Sequence, residues 1–494
     1  MSDAIGPAVS ERRSILRSRV FRLALVSLIA ASALVVVASD SSTPPSGTQQ
    51  ASPPRPDADS PAERGLRLLT TKAYLSQDFD QETFDALPST WEREAREQAA
   101  RATPAERRRL TLERYGLTEH PDGARRTALQ YVPSADGGWT MNCLACHTGK
   151  VAGKVIYGVP NSLYDLQSLT EDVRTVKLLR GKTLTHMDKG SFLYPLGGSI
   201  GTTNAVSFGQ ILLAYRDRDL NFHREYELPK LTHHDMDAIP WWHYKRKRRI
   251  YVDAFAPRDH RALMQFLLIP RNGPDKFTEW EKDYRDIEAW ILSLAAPKYP
   301  YPIDAPLAAQ GKLVFSKHCA ECHGTYTADG TGSAEGAGTW PEKIIPLADI
   351  GTDPVRLEAL TVTGRRKYGD SWFTRTSKTT TLIEPGGYVA PPLDGIWASA
   401  PYFHNGSVPT LWDVLHPTSR PIVWKRTIDG YDREKVGLEA ARLNDVPKAD
   451  KDVLRAARRY FDTRKPSKSA AGHQYPDALD EAEKRAVLEY LKTL

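Results

Sequence analysis

Met-Asn-Cys-Leu-Ala-Cys-His-Thr-Gly-Lys, residues Met141 to Lys150, is the stretch from which the rest of the chain can be read. Cys143, Cys146 and His147 spell C-x-x-C-H, the pattern by which haem is attached covalently as a c-type group. The two thiols add to the haem vinyl groups, and the adjacent histidine is placed to ligate iron from the proximal side. The pattern recurs at Cys319, Cys322 and His323, and the two copies use all four cysteines of the chain. A lone C-x-x-C also suits a redox pair or half of a zinc site. Two copies, each followed by histidine and with no cysteine to spare, point to two covalently bound haem c groups instead.

The flanks of the second motif specify its surroundings. Gly311-Lys312-Leu313-Val314-Phe315 lies just ahead of Cys319, on a short helix predicted to begin near Pro306. Small cytochromes c have such a helix, in which the glycine lets the C-terminal helix cross closely and the aromatic packs beside it. The crossing partner is present as Leu479, Ala482, Ala486, Val487, Tyr490, Leu491 and Leu494, recurring on one helical face. A similar face, Trp280, Tyr284, Ile287, Trp290, Ile291 and Leu294, closes the first half between Lys276 and Leu294. Pro297, Pro300 and Pro302 follow and cannot continue that helix. The fold class expected is mainly α, with two cytochrome c-like haem domains carrying long loops and insertions. The first, elaborated domain would span 63–299 and the second 300–494. Further helices are expected over Arg64 to Thr71 and from Thr103-Pro104-Ala105-Glu106, where an N-cap precedes a first-position proline. Leu129 to Thr140 reads as extended or looped.

The first 38 residues read as an export element. Arg12, Arg13, Arg17, Arg19 and Arg22 precede an apolar run from Leu23 to Ala38. That run suits a cleaved signal peptide and is at the short end for an uncleaved membrane anchor. Residues 39–62 form a Pro/Ser-rich linker of disordered composition. A periplasmic or extracellular address follows, with membrane association only through an uncleaved N-terminus. The formal charge is +6, of which five arginines against Asp3 and Glu11 account for +3 in residues 1–38. The remainder, about +3, together with the absence of a recognition motif, argues against nucleic acid as a partner.

Function turns on the sixth ligand of each iron. An iron with two protein ligands moves electrons, whereas one with an open face binds O₂ or peroxide. In small cytochromes c this ligand comes from the loop feeding the C-terminal helix, where the chain has Gly472-His473-Gln474-Tyr475. His473 is therefore expected opposite His323, the alternative being an exposed loop histidine. No methionine follows Met264, so none can serve the second haem from downstream. The corresponding loop of the first half, Leu267 to Gly273, offers no iron ligand, and His260 and Met264 just before it read as packing or surface residues. The first haem is expected to be five-coordinate with an apolar distal pocket. His186, His233 and His234 remain candidate distal histidines. Trp241 to Tyr244 beside Lys245 to Arg249 reads as a solvated basic strand or a docking patch for a redox partner. Trp139 and Trp290 read as core residues or electron relays, and Phe192 and Phe208 as apolar residues able to shape the distal pocket.

Ala390-Pro-Pro-Leu-Asp-Gly-Ile-Trp397 and Ala400-Pro-Tyr-Phe-His-Asn-Gly-Ser407 resemble the second-domain signature of the bacterial di-haem cytochrome c peroxidase superfamily. The rubber-oxygenase-like branch looks most similar, through the long insertion after the first motif and the late Gly-His at Gly472-His473. The resemblance implies that Tyr402 and His404 lie near the second haem, with His404 a supporting or structural group or the alternative sixth ligand. It also implies a first haem open to O₂ in a phenylalanine-containing pocket, which Phe208 would match. Unlike typical peroxidases, the chain has no methionine for the electron-transfer haem, and no distal acid–base group announces itself. The expectation is an exported haem-dependent oxidoreductase, peroxidase-like or oxygenase-like. Its reaction site would be the haem at His147, and the haem at His323 and His473 would transfer electrons to or from a small redox protein. A non-catalytic electron carrier, or a di-haem module docked in a larger complex, is the alternative. A calcium ion between the haems is left open.

Overall fold

The computed structural model describes residues 60–134, 136–326, 338–451 and 453–494. The expected export element and most of the linker lie outside these residues. The chain is mainly helical, with short sheets between the helices.

Helix α1 (Pro61–Thr71) starts where the Ser60 hydroxyl accepts the Glu63 N–H, with Pro61 in its first turn. Helix α2 (Pro104–Arg114) carries a full capping box between Thr103 and Glu106. Strands β1 (Tyr131–Pro133) and β2 (Gly138–Met141) pair antiparallel and deliver the chain to the first motif. The motif itself makes the one-turn helix α3 (Leu144–His147). A hairpin of β3 (Thr148–Val151) and β4 (Lys154–Tyr157) follows. Then come α4 (Leu166–Leu179), α5 (His186–Leu193) and α6 (Ala205–Ala214). The first half ends in α7 (Pro274–Ser293), and the second opens with α8 (Ala305–His318) and the motif turn α9 (Ala320–His323). After α10 (Val355–Ala359) and strand β5 (Gly387–Val389), strands β6 (Val423–Asp432), β7 (Gly437–Leu443) and β8 (Tyr460–Asp462) form a sheet in the order β7-β6-β8. The sequence reading had no counterpart for this sheet. Helix α11 (Glu481–Leu491), capped by Asp480 and Glu483, closes the chain.

Two helix crossings dominate the packing. At the crossing of α8 and α11, a Cβ on Gly311 would lie 1.8 Å from the Ala486 carbonyl oxygen, and Phe315 packs its ring 5.3 Å from Tyr490. This is the expected crossing. The pairing of α1 with α7 repeats the device, since a Cβ on Gly65 would lie 2.1 Å from the Asp286 carbonyl oxygen. Both contacts are backbone on backbone, so only glycine fits. The main apolar core runs from Leu69 to Leu494 through both halves, and a second core formed by Phe79, Phe84, Trp139 and Val173 supports the first motif from its other side.

Candidate haem-binding site

His147 is held twice. Its Nδ1 lies 3.1 Å from the carbonyl of Ile239, and its ring stacks on Trp241 with centroids 4.4 Å apart and planes 16° from parallel. A carbonyl can only accept, so Nδ1 carries the proton and Nε2 keeps its lone pair. Burial holds the imidazole neutral, with its pKa down at about 4. His323 repeats the pattern: its Nδ1 donates to the Pro391 carbonyl at 3.0 Å, and burial lowers its pKa. Backbone carbonyls orienting the far nitrogen in this way are the usual support of a metal-ligating histidine. The four cysteines form no disulfide, and burial pushes the thiols of Cys143 to about 11, Cys146 to about 12 and Cys319 to about 11.

The surroundings of the two histidines differ. The His473 ring lies 6.2 Å from the His323 ring, centroid to centroid, at 66°. An iron between two imidazoles needs about 2 Å for each bond plus roughly 1 Å from each nitrogen to its ring centre, about 6 Å in all. The spacing fits. His473 Nδ1 is buried without a hydrogen-bond partner, and burial with the neighbouring Arg420 and His323 drives its pKa to about 3. The histidine is placed by Gly472, whose φ is +79° and on which a Cβ would lie 2.3 Å from the Gly351 carbonyl carbon. Arg420 Nη1 donates to the carbonyls of Ala470 and Gly472, both at 2.7 Å, and the His473 N–H donates to Ile350 at 2.7 Å. His473 is thus no exposed loop residue. At His147, by contrast, the stacked Trp241 covers the face of the ring, and among the described residues no second imidazole stands in ring contact with it.

The other predicted residues fall in several places. Phe403 is the member of the Pro-Tyr-x-His-x-Gly signature that faces His473, with ring centres 6.1 Å apart. Tyr402 donates its hydroxyl to the Ile396 carbonyl at 3.1 Å, and His404 packs on Tyr388 with centroids 4.5 Å apart. Phe208, on α6, meets Tyr194 edge to face and packs against the same core as Cys146. Phe192 does not line a pocket: it is 59% exposed under the Arg174 guanidinium. His186 lies 3.8 Å from the buried Asp78 carboxyl, while His233 and His234 bond to Asn204 and the Thr232 carbonyl. His260 is gripped by Asp259 and Glu281 through both nitrogens, leaving no lone pair for a metal, and Met264 is in the core. Asp78 Oδ2 accepts the Met141 N–H at 2.8 Å beside the first motif, and burial raises its pKa to about 7. Among the described residues no group of three His, Cys, Asp or Glu side chains is arranged to hold a metal ion.

The expected basic strand is corrected. Trp241 to Arg246 form a 3₁₀ helix whose first four side chains are buried, and the basic groups after them turn inward or pair. Arg246 bonds Asp394, Arg248 bonds Glu342, and Lys245 donates to the Leu294 carbonyl. This segment joins the two motifs. Trp242 Nε1–H donates to the Asp394 carbonyl at 2.7 Å, and His243 Nε2 reaches the same oxygen at 2.8 Å. The short segments Ile239–Trp242 and Pro391–Asp394, which hold His147 and His323, are therefore bonded directly to each other. Trp290 stands edge-on to Trp241, and Trp139 stacks on Phe84 in the second core.

The comparisons show a cytochrome c-like domain in the chain. A family model described as RoxA-like, cytochrome c-like, matches residues 387–425, the stretch that contains Pro391 and Phe403. A cytochrome c-like domain implies covalently bound haem c. Two proteins of Sinorhizobium fredii (strain NBRC 101917 / NGR234), both described as uncharacterised, are similar to the chain. One, y4iM, is 30% identical over 41% of this chain and 52% of its own length. The other, y4iJ, is 28% identical over 42% of each. The chain thus spans about half the length of the curated relatives it matches.

Proposed function

We propose that the protein is an exported di-haem c-type cytochrome acting as an oxidoreductase, with unequal haems. One is attached at Cys143 and Cys146 with His147 below it, the other at Cys319 and Cys322 between His323 and His473. A haem bound at these sites supplies an iron that exchanges single electrons and, where one side is vacant, binds O₂ or peroxide. The observation that carries the proposal is the contrast between the two motif histidines: His473 stands 6.2 Å from His323, whereas among the described residues the ring stacked on His147 is Trp241 and no second imidazole meets it. His473 and His323 hold both sides of one site and restrict it to electron transfer. His147 holds one side of the other, which leaves that site for O₂ or peroxide, with Phe208 and the apolar residues around it excluding water. The twin crossings at Gly65 and Gly311 support two cytochrome modules meeting near residue 300, over a shared core. The match over 387–425 supports the rubber-oxygenase-like branch. Export to the periplasm and a small redox protein as partner belong to the same proposal, since attachment of haem c follows export.

The test is His473→Ala in the holoprotein. The variant is expected to keep both covalent haems by intact mass while one converts from low-spin to high-spin in its optical and electron paramagnetic resonance spectra. An unchanged low-spin spectrum would remove His473 from the iron.

A further inference from the structure

A buried polar cluster has no part in the contacts that hold the two motif histidines. Its centre is Asp253, which accepts from Arg356 Nη2 at 3.2 Å and Arg365 Nη2 at 2.9 Å. One carboxylate thus faces two guanidiniums whose side chains are 1% and 5% exposed. Asp353, the other carboxylate near them, is turned to the backbone N–H groups of Val355 and Ser469, both at 3.0 Å. Arg356 Nε and Nη1 and Arg365 Nε have no partner, and neither has Nε2 of His404 or of His234. Burial and the Arg356 charge keep both imidazoles neutral, at about 3 and about 4. Buried donors are nearly always satisfied, and an unsatisfied charged donor is the costliest exception. The three orphaned guanidinium nitrogens mark the place of a missing acceptor, and an anion satisfies arginine better than water does.

Three short stretches of chain link the cluster to groups that touch the second motif or His473. Gly351, packed on Gly472, leads in five residues to Arg356. His404 follows Phe403, whose ring faces His473. Tyr388, packed on His404, precedes by three residues the Pro391 carbonyl that holds His323. We propose that Arg356, backed by Arg365 and beside His404, receives a propionate carboxylate of the haem attached at Cys319 and Cys322. The inference rests on that haem being present. Arg356 is then a positioning residue: its charge offsets the carboxylate and so favours the reduced iron.

The experiment uses full-length holoprotein with Arg356→Leu and Arg356→Lys, each checked for two covalent haems by intact mass. Resonance Raman spectra and separate midpoint potentials for the two haems are recorded. Arg356→Leu is expected to shift the propionate bending bands and move the midpoint of the six-coordinate haem negative, leaving the other haem unchanged. Arg356→Lys, which keeps the charge without the guanidinium, shifts the same bands while retaining most of the midpoint, and it serves if the leucine variant fails to fold. Unchanged bands in either folded variant, or a shift confined to the haem at His147, would overturn the inference and leave the di-haem reading intact. A wild-type protein carrying no haem at Cys319 and Cys322 would overturn that reading itself.

Discussion

Gly472 leaves no space for a side chain, and His473 depends on that. A Cβ there would run into the backbone of Gly351, at a φ of +79° that an L side chain adopts only at a cost of about 1–2 kcal/mol. Gly472→Ala is therefore expected to displace His473, converting one haem to high-spin in the optical spectrum while both haems stay attached. Asp78 gives a pH-dependent expectation. Its pKa in the fold, about 7, is above the usual carboxylate value, so between about pH 4 and 7 the folded state binds more protons than the unfolded one. Stability contributed at this position is lost as pH rises through that window and changes no further above it. Asp78→Asn, which keeps an acceptor for the Met141 N–H, is expected to gain stability over the wild type across that window, by up to a few kcal/mol. Urea unfolding at pH 4.5 and pH 8 measures it, and a pH-independent difference would contradict it. What was legible at this scale were the residues whose types announce chemistry: the cysteines, the adjacent histidines and the late Gly-His. The carbonyls of Ile239 and Pro391 were not, because a backbone oxygen leaves no mark in a sequence.

At the level of elements, the crossing of α8 and α11 followed from the spacing of Gly311, Phe315 and the apolar face ending at Leu494. The matching crossing of α1 and α7 did not, since Gly65 within an arginine- and leucine-rich helix has no distinguishing neighbour. Both are expected to respond alike. Gly311→Ala and Gly65→Ala force backbones apart where a Cβ would sit about 2 Å from a carbonyl, and each should cost at least about 1–3 kcal/mol in thermal or urea unfolding. A variant unfolding like the wild type would show that the helices cross elsewhere. Sequence alone suggests a solvated basic strand or a docking patch at Trp241–Arg249, because the compensating charges, Asp394 and Glu342, lie about a hundred residues or more downstream. Ion pairs at that separation cannot be inferred from composition. The β6–β8 sheet is illegible for a related reason: charged residues such as Lys425, Arg426, Glu439 and Arg442 interrupt the apolar ones, and the strands owe their order to pairing across the chain.

For the molecule as a whole, two sites built on the same motif are unequal in their surroundings. Each motif histidine is oriented by a backbone carbonyl, and the two supporting segments are bonded to each other through Trp242 and Asp394. What separates the sites is the second imidazole, present beside His323 and not found in contact with His147 among the described residues. The most direct test is titration of the fully reduced holoprotein with carbon monoxide, followed in the Soret region. The account predicts saturation at one carbon monoxide per two haems, with the second haem remaining low-spin throughout. A protein in which both haems are low-spin and neither takes up carbon monoxide would contradict it.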